Sequence, residues 1–275
     1  MINDVVKISK EYYDSSDADV FYYSVWGGED IHIGIYDDNE TNIAAASSKT
    51  VKTMASQLTN ITPSSKILDI GAGYGGAARY LAKEFNCRID CLNLSEKQNK
   101  RNEEKNKELG LNDRIRVFTG NFEDLPFEDN SYDFVWSEDA ILHSGQKEQV
   151  IKEVARVLKS GGEFIFTDPM QSDNCPEGVL KDIYARINLD SMGSLDFYKT
   201  TCQNEGLKET NFLDLSNQLI NHYSNVKKLL LQKKSDLQRN ISSEYIEKML
   251  KGLKHWVEGG KQGYLKWGIH IFEKK

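Results

Sequence analysis

The hydrophobic positions of this chain follow two spacings, one typical of buried strands and the other typical of helices. Ile67, Leu68 and Ile70 form a short apolar run that predicts a strand, and residues 77–84 then resume helical spacing. The same rhythm of strand and helix repeats from residue 45 to residue 168. The later predicted strands of this region are 87–94, 114–119, 131–137 and 163–168. Such alternation predicts a doubly wound parallel sheet.

The regions on either side of this rhythm have a different pattern. Before it, residues 5–13 are a predicted helix, and residues 44–58 form the predicted helix that leads into its first strand. After Pro169, helical segments are interrupted by strand-like ones, which indicates that the last strands of the sheet are mixed with an inserted helical cap. The helices predicted there are 176–189, 194–204, 218–237 and 242–257, and the strands are 210–216 and 263–273.

Residues 20–36 (VFYYSVWGGEDIHIGIY) combine many aromatic side chains with charged ones around Gly27 and Gly28. One interpretation is that the aromatic rings simply fill the core. The other is an aromatic lid, hinged at the two glycines, that folds over a pocket. The close mixture of charged and aromatic residues favours the lid, since a plain core strand would exclude the charges.

Composition narrows the choice of partners and compartment. The chain has 42 acidic and 35 basic residues, a net charge of −7 and no basic block, which disfavours nucleic acid and anionic membranes as partners. Its four cysteines lack C-x-x-C spacing and read as thiols of a reducing cytosol. The N-terminus has no signal-peptide core, so we expect a cytoplasmic monomer or homodimer that acts on a small molecule. No cluster of potential ligands has metal spacing, and we predict no metal.

The glycines of KILDIGAGYGG lie between a predicted strand and a helix N-terminus. This placement lets the backbone approach a ligand at the carboxyl end of a parallel strand. Gly71, Gly73 and Gly76 also fit the dinucleotide pattern G-x-G-x-x-G, which leaves an NAD-dependent oxidoreductase as one possibility. With Asp69 two residues earlier, however, the segment resembles the first motif of class I S-adenosylmethionine (SAM) methyltransferases.

That resemblance implies a Rossmann-like, seven-stranded, mostly parallel sheet and a set of cofactor-binding residues. The position that is usually acidic at the end of the second strand is Asn93 here, which also weakens the NAD alternative. Gln98 either completes a capping box with Ser95 or helps to hold the cofactor. Phe122 either stacks on the adenine or belongs to the core. The implied cofactor-binding residues are Asp69, Gly71, Ala72, Gly73, Asn93, Leu94, Gln98, Asn121, Phe122 and Ser137.

A narrower resemblance covers the chain from about residue 10 to the C-terminus. The segments VWGGEDIHIG, LDIGAGYGGAARYL, CLNLSEKQNKRNEEKN, WSEDAILHS, TDPM and DSMGSL resemble the sarcosine/dimethylglycine N-methyltransferases that make glycine betaine. The resemblance implies SAM as methyl donor and S-adenosylhomocysteine as product. We therefore divide the chain into an N-terminal helix and aromatic lid (1–43), a SAM-binding core (44–170) and a helical substrate cap that includes the final strands (171–275).

The acceptor side of the site is predicted from residue type and from the same resemblance. SEDAILH also resembles phosphoethanolamine methyltransferases, in which the histidine pairs with an N-terminal tyrosine. His143 is therefore either a packing residue or a base that takes a proton from the substrate ammonium. Aromatic faces stabilise methylated ammonium, and a carboxylate asks for a cation such as Arg186. The predicted residues are His143, Tyr22 and Tyr23 as catalytic, and Trp26, Arg186, Tyr198, His222 and Tyr223 as substrate-binding.

Two other functions stay open from the sequence. One keeps SAM and changes the acceptor to phosphoethanolamine or another small amine, although the predicted cap shows no obvious cluster of cations for a phosphate. The other is a regulatory module that binds SAM without catalysis. An intact glycine loop with His143 replaced would favour that module, and this chain retains both.

Overall fold

The computed structural model describes residues 4–38, 42–187 and 191–275. Its amino-terminal part begins with helices α1 and α2, followed by a single π-helical turn and helix α3. Ser15 and Asn42 cap α2 and α3, because each side-chain oxygen accepts a backbone N–H three residues later. The bounds are α1 Asp4–Asp14, α2 Ser16–Phe21, the π-turn Tyr22–Trp26 and α3 Ile43–Ala55.

The central part alternates strands and helices, as the hydrophobic pattern predicts. A short 3-10 turn, Ile141–His143, separates the fourth strand from the next helix. The elements are β1 Lys66–Ile70, α4 Gly76–Phe85, β2 Arg88–Asn93, α5 Glu96–Glu108, β3 Ile115–Thr119, β4 Tyr132–Glu138, α6 Lys147–Val157 and β5 Leu158–Thr167.

The carboxyl-terminal part contributes the last strands of the sheet and a group of helices. Helices α9 and α10 pack against each other, and Tyr223 of α9 stacks on Trp256 of α10 with ring centroids 4.9 Å apart. The elements are β6 Met170–Gln171, α7 Lys181–Ile187, α8 Leu195–Asn204, β7 Leu207–Asp214, α9 Ser216–Leu237, α10 Ser243–Lys261, β8 Leu265–Lys266 and β9 Gly268–Lys274.

Within the described ranges, seven strands form one sheet in the order β3-β2-β1-β4-β5-β9-β7. The first five are parallel, whereas β9 runs antiparallel to both β5 and β7. The chain direction of the crossovers reverses between β1 and β4. Open α/β sheets bind ligands at the carboxyl ends of strands beside such a reversal. The predicted seven-stranded, mostly parallel fold is confirmed.

The middle of the sheet is buried on both faces. Ile67, Leu68 and Ile70 of β1 are fully buried, which explains why this strand reads as a continuous apolar run rather than as an alternation. Ile67 belongs to the apolar cluster on one face, and Leu68 and Ile70 belong to the cluster on the other. Among the described helices, none combines the length and apolar character that spanning a bilayer requires.

Three predicted elements differ from the structure. Strand β5 begins at Leu158, ahead of the glycine pair, because Leu158 pairs with Tyr132 before a register shift. The predicted final strand is divided at Trp267, since β8 pairs with β6 while β9 joins the main sheet. Helix α7 begins at Lys181, five residues after the predicted start, and positions 188 and 189 at its predicted end lie outside the described residues.

The aromatic segment 20–36 combines features of the two interpretations above. The rings of Phe21, Tyr22 and Trp26 are buried, and Tyr22 and Trp26 also line a cavity. Gly27 has an extended φ of 172°, and a Cβ there would lie 2.2 Å from the carbonyl oxygen of Asp30, so this turn is tightly packed. Helix α1 is the element that lies over the cavities described next.

Candidate active site

Two adjoining cavities open at the carboxyl ends of β1, β2 and β4. The glycine-loop cavity is lined by the loop after β1 and by the ends of β2 and β3. The aromatic cavity is lined by six tyrosine and tryptophan side chains together with apolar residues, Asp139 and His143. Tyr13, Ile31, Asp139 and His143 line both cavities. Groups held in the two cavities would therefore meet at these four residues.

The glycine loop is shaped by backbone conformations that other residues rarely adopt. Gly71 has φ +83° and Gly73 has φ +52°. The N–H groups of Gly71 and Ala72 both donate to the carbonyl oxygen of Leu92, at 2.8 and 3.2 Å, which ties the loop to the end of β2. A Cβ at Gly71 would lie 2.4 Å from the Cβ of Ala140. The loop thus packs directly against the segment that follows β4.

The end of β2 presents amide side chains to the glycine-loop cavity. Asn93 Nδ2 donates to Gln98 Oε1 at 2.9 Å, and both residues line the cavity with Leu94. Ser95 caps α5 by accepting the N–H of Gln98, but the Gln98 side chain is turned toward Asn93. Of the two roles left open for Gln98, its backbone N–H takes part in the predicted cap, while its side chain bonds Asn93. Its side chain is available to the cavity wall.

The end of β3 supplies one wall of the same cavity. Asn121 Oδ1 accepts the N–H of Glu123 at 3.0 Å, and Phe122 is buried with its ring beside Gly71. The carboxylate of Glu123 accepts the Ser144 hydroxyl at 2.6 Å and the Gln146 amide at 3.0 Å. Glu123 links this wall to the segment after His143, a role that the sequence pattern did not predict.

Behind the glycine loop lies a buried group of carboxylates around His32. His32 Nε2 lies 3.3 Å from Glu138 Oε1. Burial opposes charge on His32, yet Glu138, Asp30 and Asp139 together raise its pKa. Burial, reinforced by Glu138, raises the pKa of Asp69 well above its ordinary value, and burial raises the pKa of Glu138 to about 7. A cation bound beside the loop would lower the pKa values of these carboxyl groups and favour their charged forms.

The aromatic cavity is walled by rings from four different elements. Tyr22 and Trp26 of the π-turn lie 5.3 Å apart between centroids, and Trp26 is 5.6 Å from Tyr223 of α9. Tyr12 and Tyr13 of α1 complete the wall toward solvent. Rings set around a cavity at these distances can stabilise a methylated ammonium through cation–π attraction.

His143 lies where the two cavities meet. Its Nε2 is 3.0 Å from the hydroxyl of Tyr13, and the two rings are perpendicular with centroids 5.6 Å apart. The resemblance predicts an N-terminal tyrosine partner, and the structure identifies it as Tyr13. Tyr12 and Tyr13 are adjacent near the end of α1, and the sequence alone gives no means of choosing between them. In the structure the hydroxyl of Tyr12 is hydrogen-bonded to that of Tyr245 instead.

Asp139 is the principal site residue that the sequence pattern missed. Its Oδ2 accepts the N–H of Ile33 at 2.7 Å, and its Oδ1 accepts the indole N–H of Trp267 at 2.7 Å. Its φ of +49° is unusual for a residue with a side chain. Burial raises the pKa of Asp139, and His32 opposes that rise. Its position in the sequence could have identified it, because it is an acidic residue directly after β4, at the same edge of the sheet as the glycine loop.

Several predicted residues lie away from the cavities. Tyr23, predicted as catalytic, is 47% exposed and packs edge-on against Tyr74, because it points to the other side of the π-turn from Tyr22. Ser137, predicted to bind the cofactor, is fully buried and donates its hydroxyl to the carbonyl oxygen of Ile70 at 2.9 Å. The structure brings neither side chain to the site.

Two predicted substrate-binding residues are part of the supporting core. His222 is buried behind Trp26, and its Nδ1 lies 3.0 Å from the N–H of Gly34 and 2.9 Å from the Tyr36 hydroxyl. Burial, helped by His32, lowers the pKa of His222 to about 3, so it is neutral. Tyr198 is fully buried and does not line either cavity.

The predicted carboxylate clamp, Arg186, belongs to α7, which packs against α10. Its side chain lies outside the described residues, and its role stays a prediction. Among the described residues that line the aromatic cavity there is no lysine or arginine. Nor do the histidine, cysteine and carboxylate side chains of the described ranges form a group that could hold a metal ion.

A seven-stranded sheet with one reversed strand at β9, and a glycine loop beside the point where the crossovers reverse, defines the fold of the class I methyltransferases. In agreement, residues 68–166 match a methyltransferase domain family.

Full-length comparisons narrow the class. The chain is 52% identical over 270 residues to a sarcosine/dimethylglycine N-methyltransferase of Aphanothece halophytica, covering 98% of each chain. It is 51% identical to that of Halorhodospira halochloris, covering 98% of this chain and 96% of the relative. The crystal structure of a sarcosine dimethylglycine methyltransferase candidate from Galdieria sulphuraria matches with a TM-score of 0.91 at 45% identity, over 96% of this chain and 99% of that one. The chain belongs to the sarcosine/dimethylglycine N-methyltransferase family, and the predicted family is confirmed.

Proposed function

We propose that this protein transfers methyl groups from SAM to the amine nitrogen of sarcosine and then of dimethylglycine, which yields glycine betaine and S-adenosylhomocysteine. The observation that carries the proposal is the aromatic cavity with the Asp139 carboxylate at its junction with the glycine-loop cavity. A cavity of this kind is suited to an amine that gains positive charge as it is methylated. The names of the full-length relatives support the same acceptors.

The glycine-loop cavity has the chemistry that SAM requires. The glycine conformations and the absence of Cβ atoms leave room for close approach to the backbone of the loop. Asn93, Gln98 and Phe122 line this cavity, and in the proposal the two amides bond the ribose hydroxyls while Phe122 covers the adenine. Asp69 and Glu138 lie beside the loop with raised pKa values, and a cationic ligand there would stabilise their charged forms. When bound, SAM supplies an electrophilic methyl group on a sulfonium.

The residues at the junction would handle the proton and the charge of the acceptor. The amine must lose its proton before its lone pair is available, and His143, oriented by the Tyr13 hydroxyl, is placed to take that proton. Asp139 would hold the ammonium form that enters and the ammonium that forms. Helix α1, which contributes Tyr12 and Tyr13 to the cavity wall, would limit the access of water to these residues.

The phosphoethanolamine alternative is less well supported. A phosphate is normally bound by several cations, and the described lining of the aromatic cavity contains none. The carboxylate of sarcosine or dimethylglycine can be bound by a single cation, and Arg186 remains the candidate for it. The regulatory alternative has no explanation for the pairing of Tyr13 with His143 beside the half-buried Asp139.

The decisive experiment is a methyl-transfer assay with SAM and four acceptors: glycine, sarcosine, dimethylglycine and phosphoethanolamine, with products identified by mass. We expect dimethylglycine and betaine from sarcosine, and betaine from dimethylglycine. Turnover of phosphoethanolamine instead would refute the proposed acceptor. Binding of SAM without turnover of any acceptor would favour the regulatory module.

A further inference from the structure

Asp168, directly after β5, is a fully buried carboxylate that the proposed reaction does not use. Its Oδ1 accepts the backbone N–H of Leu142 at 2.9 Å, and its Oδ2 accepts the hydroxyl of Tyr198 at 2.5 Å. Leu142 precedes His143 in the 3-10 turn. From these contacts we infer that Tyr198 and Asp168 act together as positioning residues that fix the turn carrying His143.

The end of β5 is bonded both to the residue two positions before the turn and to the middle residue of the turn. The N–H of Asp139 donates to the carbonyl oxygen of Thr167 at 3.0 Å, three residues before Leu142 reaches the Asp168 carboxylate. These two bonds connect β5 to the segment that bears both Asp139 and His143. Displacement of the Asp168 carboxylate would therefore move the His143 ring relative to Tyr13 and to the acceptor.

Neighbouring residues pack around the ring of Tyr198 and fix the position of its hydroxyl. Its ring lies 5.0 Å from that of Phe166 and 5.7 Å from that of His270. Gly193 closes the remaining side, since a Cβ there would lie 2.6 Å from the tyrosine ring. A ring packed in this way keeps its hydroxyl on Asp168, and burial with the adjacent carboxylate raises the pKa of Tyr198, so it remains a donor.

The charged groups that face Asp168 come from the neighbouring elements. Burial raises the pKa of Asp168 to about 7, and Asp139 adds to the rise. The Tyr198 hydroxyl, the Leu142 N–H and the cation of Lys147 on α6 oppose it. Loss of the Tyr198 hydroxyl therefore raises the pKa of Asp168 further, and the charged form is then present only at higher pH.

The test is Tyr198→Phe, with Tyr132→Phe as the matched control. Tyr132 is also fully buried and also donates to a carboxylate, Asp90 Oδ2 at 2.7 Å, but it begins β4 at the opposite edge of the sheet. The inference rests on the proposed function for its kinetic readout. We expect Tyr198→Phe to lower kcat for dimethylglycine by ~10-fold or more while KM changes less, because positioning acts on the reacting geometry. We also expect its acid limb to move to higher pH, and Tyr132→Phe to change neither.

A second readout does not depend on turnover. The imidazole signals of His143, followed by NMR in the full chain and assigned with His143→Gln, should move in Tyr198→Phe and stay in place in Tyr132→Phe. Unchanged His143 signals in Tyr198→Phe would overturn the inference. If Tyr198→Phe does not fold, Asp168→Asn keeps a carbonyl oxygen for Leu142, and the same two readouts apply to it. Failure of the wild type to methylate either acceptor counts against the proposed function alone, since the NMR comparison still stands.

Discussion

Replacement of Asp139 by asparagine removes a charge while it keeps the shape of the side chain. Both carboxylate oxygens accept from fixed donors, the N–H of Ile33 and the indole N–H of Trp267, each at 2.7 Å. Asparagine has one acceptor oxygen, so in either orientation its NH₂ group faces one of these donors. A buried donor left without an acceptor costs about 1–3 kcal/mol of folding free energy.

The effect on catalysis should be larger than the effect on stability. A full charge ~4 Å from the acceptor nitrogen, at an effective dielectric constant of ~20, interacts with about 4 kcal/mol. Since ~1.4 kcal/mol corresponds to a factor of ten in rate, complete loss is equivalent to about 10³-fold. Part of this attraction is present before transfer begins. We therefore expect kcat/KM for dimethylglycine to fall by roughly 10²- to 10³-fold in Asp139→Asn.

The assay measures betaine formation over a range of dimethylglycine concentrations, and urea unfolding of each variant gives its stability. Asp133→Asn is the matched control, because Asp133, at the opposite end of β4 from Asp139, accepts the N–H of Lys66 at 2.8 Å and the Lys159 ammonium at 2.7 Å. Its kcat/KM should stay near that of the wild type. If Asp139→Asn folds and its kcat/KM remains within about 3-fold of the wild type, the assigned role of the carboxylate is wrong.

Three further predictions concern single contacts. Tyr13→Phe removes the hydroxyl 3.0 Å from the imidazole of its partner and should lower kcat by roughly 10- to 100-fold, whereas Tyr23→Phe, on the outer side of the π-turn, should leave steady-state rates unchanged. Gly71→Ala places a Cβ at φ +83° and 2.4 Å from the Cβ of Ala140, and it should weaken SAM binding measured by calorimetry. Gly110→Ala is the control, because its φ of +66° gives the backbone strain of about 1–3 kcal/mol without a steric clash. Burial lowers the pKa of His270 from 6.5 to about 3. Between these pH values the unfolded chain binds a proton that the folded chain does not, so the free energy of unfolding decreases as the pH falls from 6.5. His270→Phe should remove this contribution, ~1.4 kcal/mol for each pH unit, in urea unfolding measured between pH 6.5 and pH 4; parallel pH slopes for variant and wild type would contradict it.

The local parts of the fold and site could be predicted from the sequence. A strand, its glycine turn and the following helix are encoded by residues that are neighbours in the chain, so the glycine loop and the parallel alternation of 45–168 are visible as periodicity. His143 could be singled out for a related reason. It follows the fourth predicted strand within a few residues, and the carboxyl ends of parallel strands share one edge of a sheet.

The partners of these residues were decided by tertiary structure. Asp139 is bonded to Ile33, 106 positions earlier, and to Trp267, 128 positions later, and no periodicity records which distant donors will meet. Tyr198 and His222 have the residue types of a substrate pocket, yet packing encloses them and turns them into supports. Residue type and spacing thus determined the framework and the edge where chemistry occurs. Only the packing of distant elements decided which side chains line the cavities, because burial and hydrogen bonding depend on all the neighbours in space.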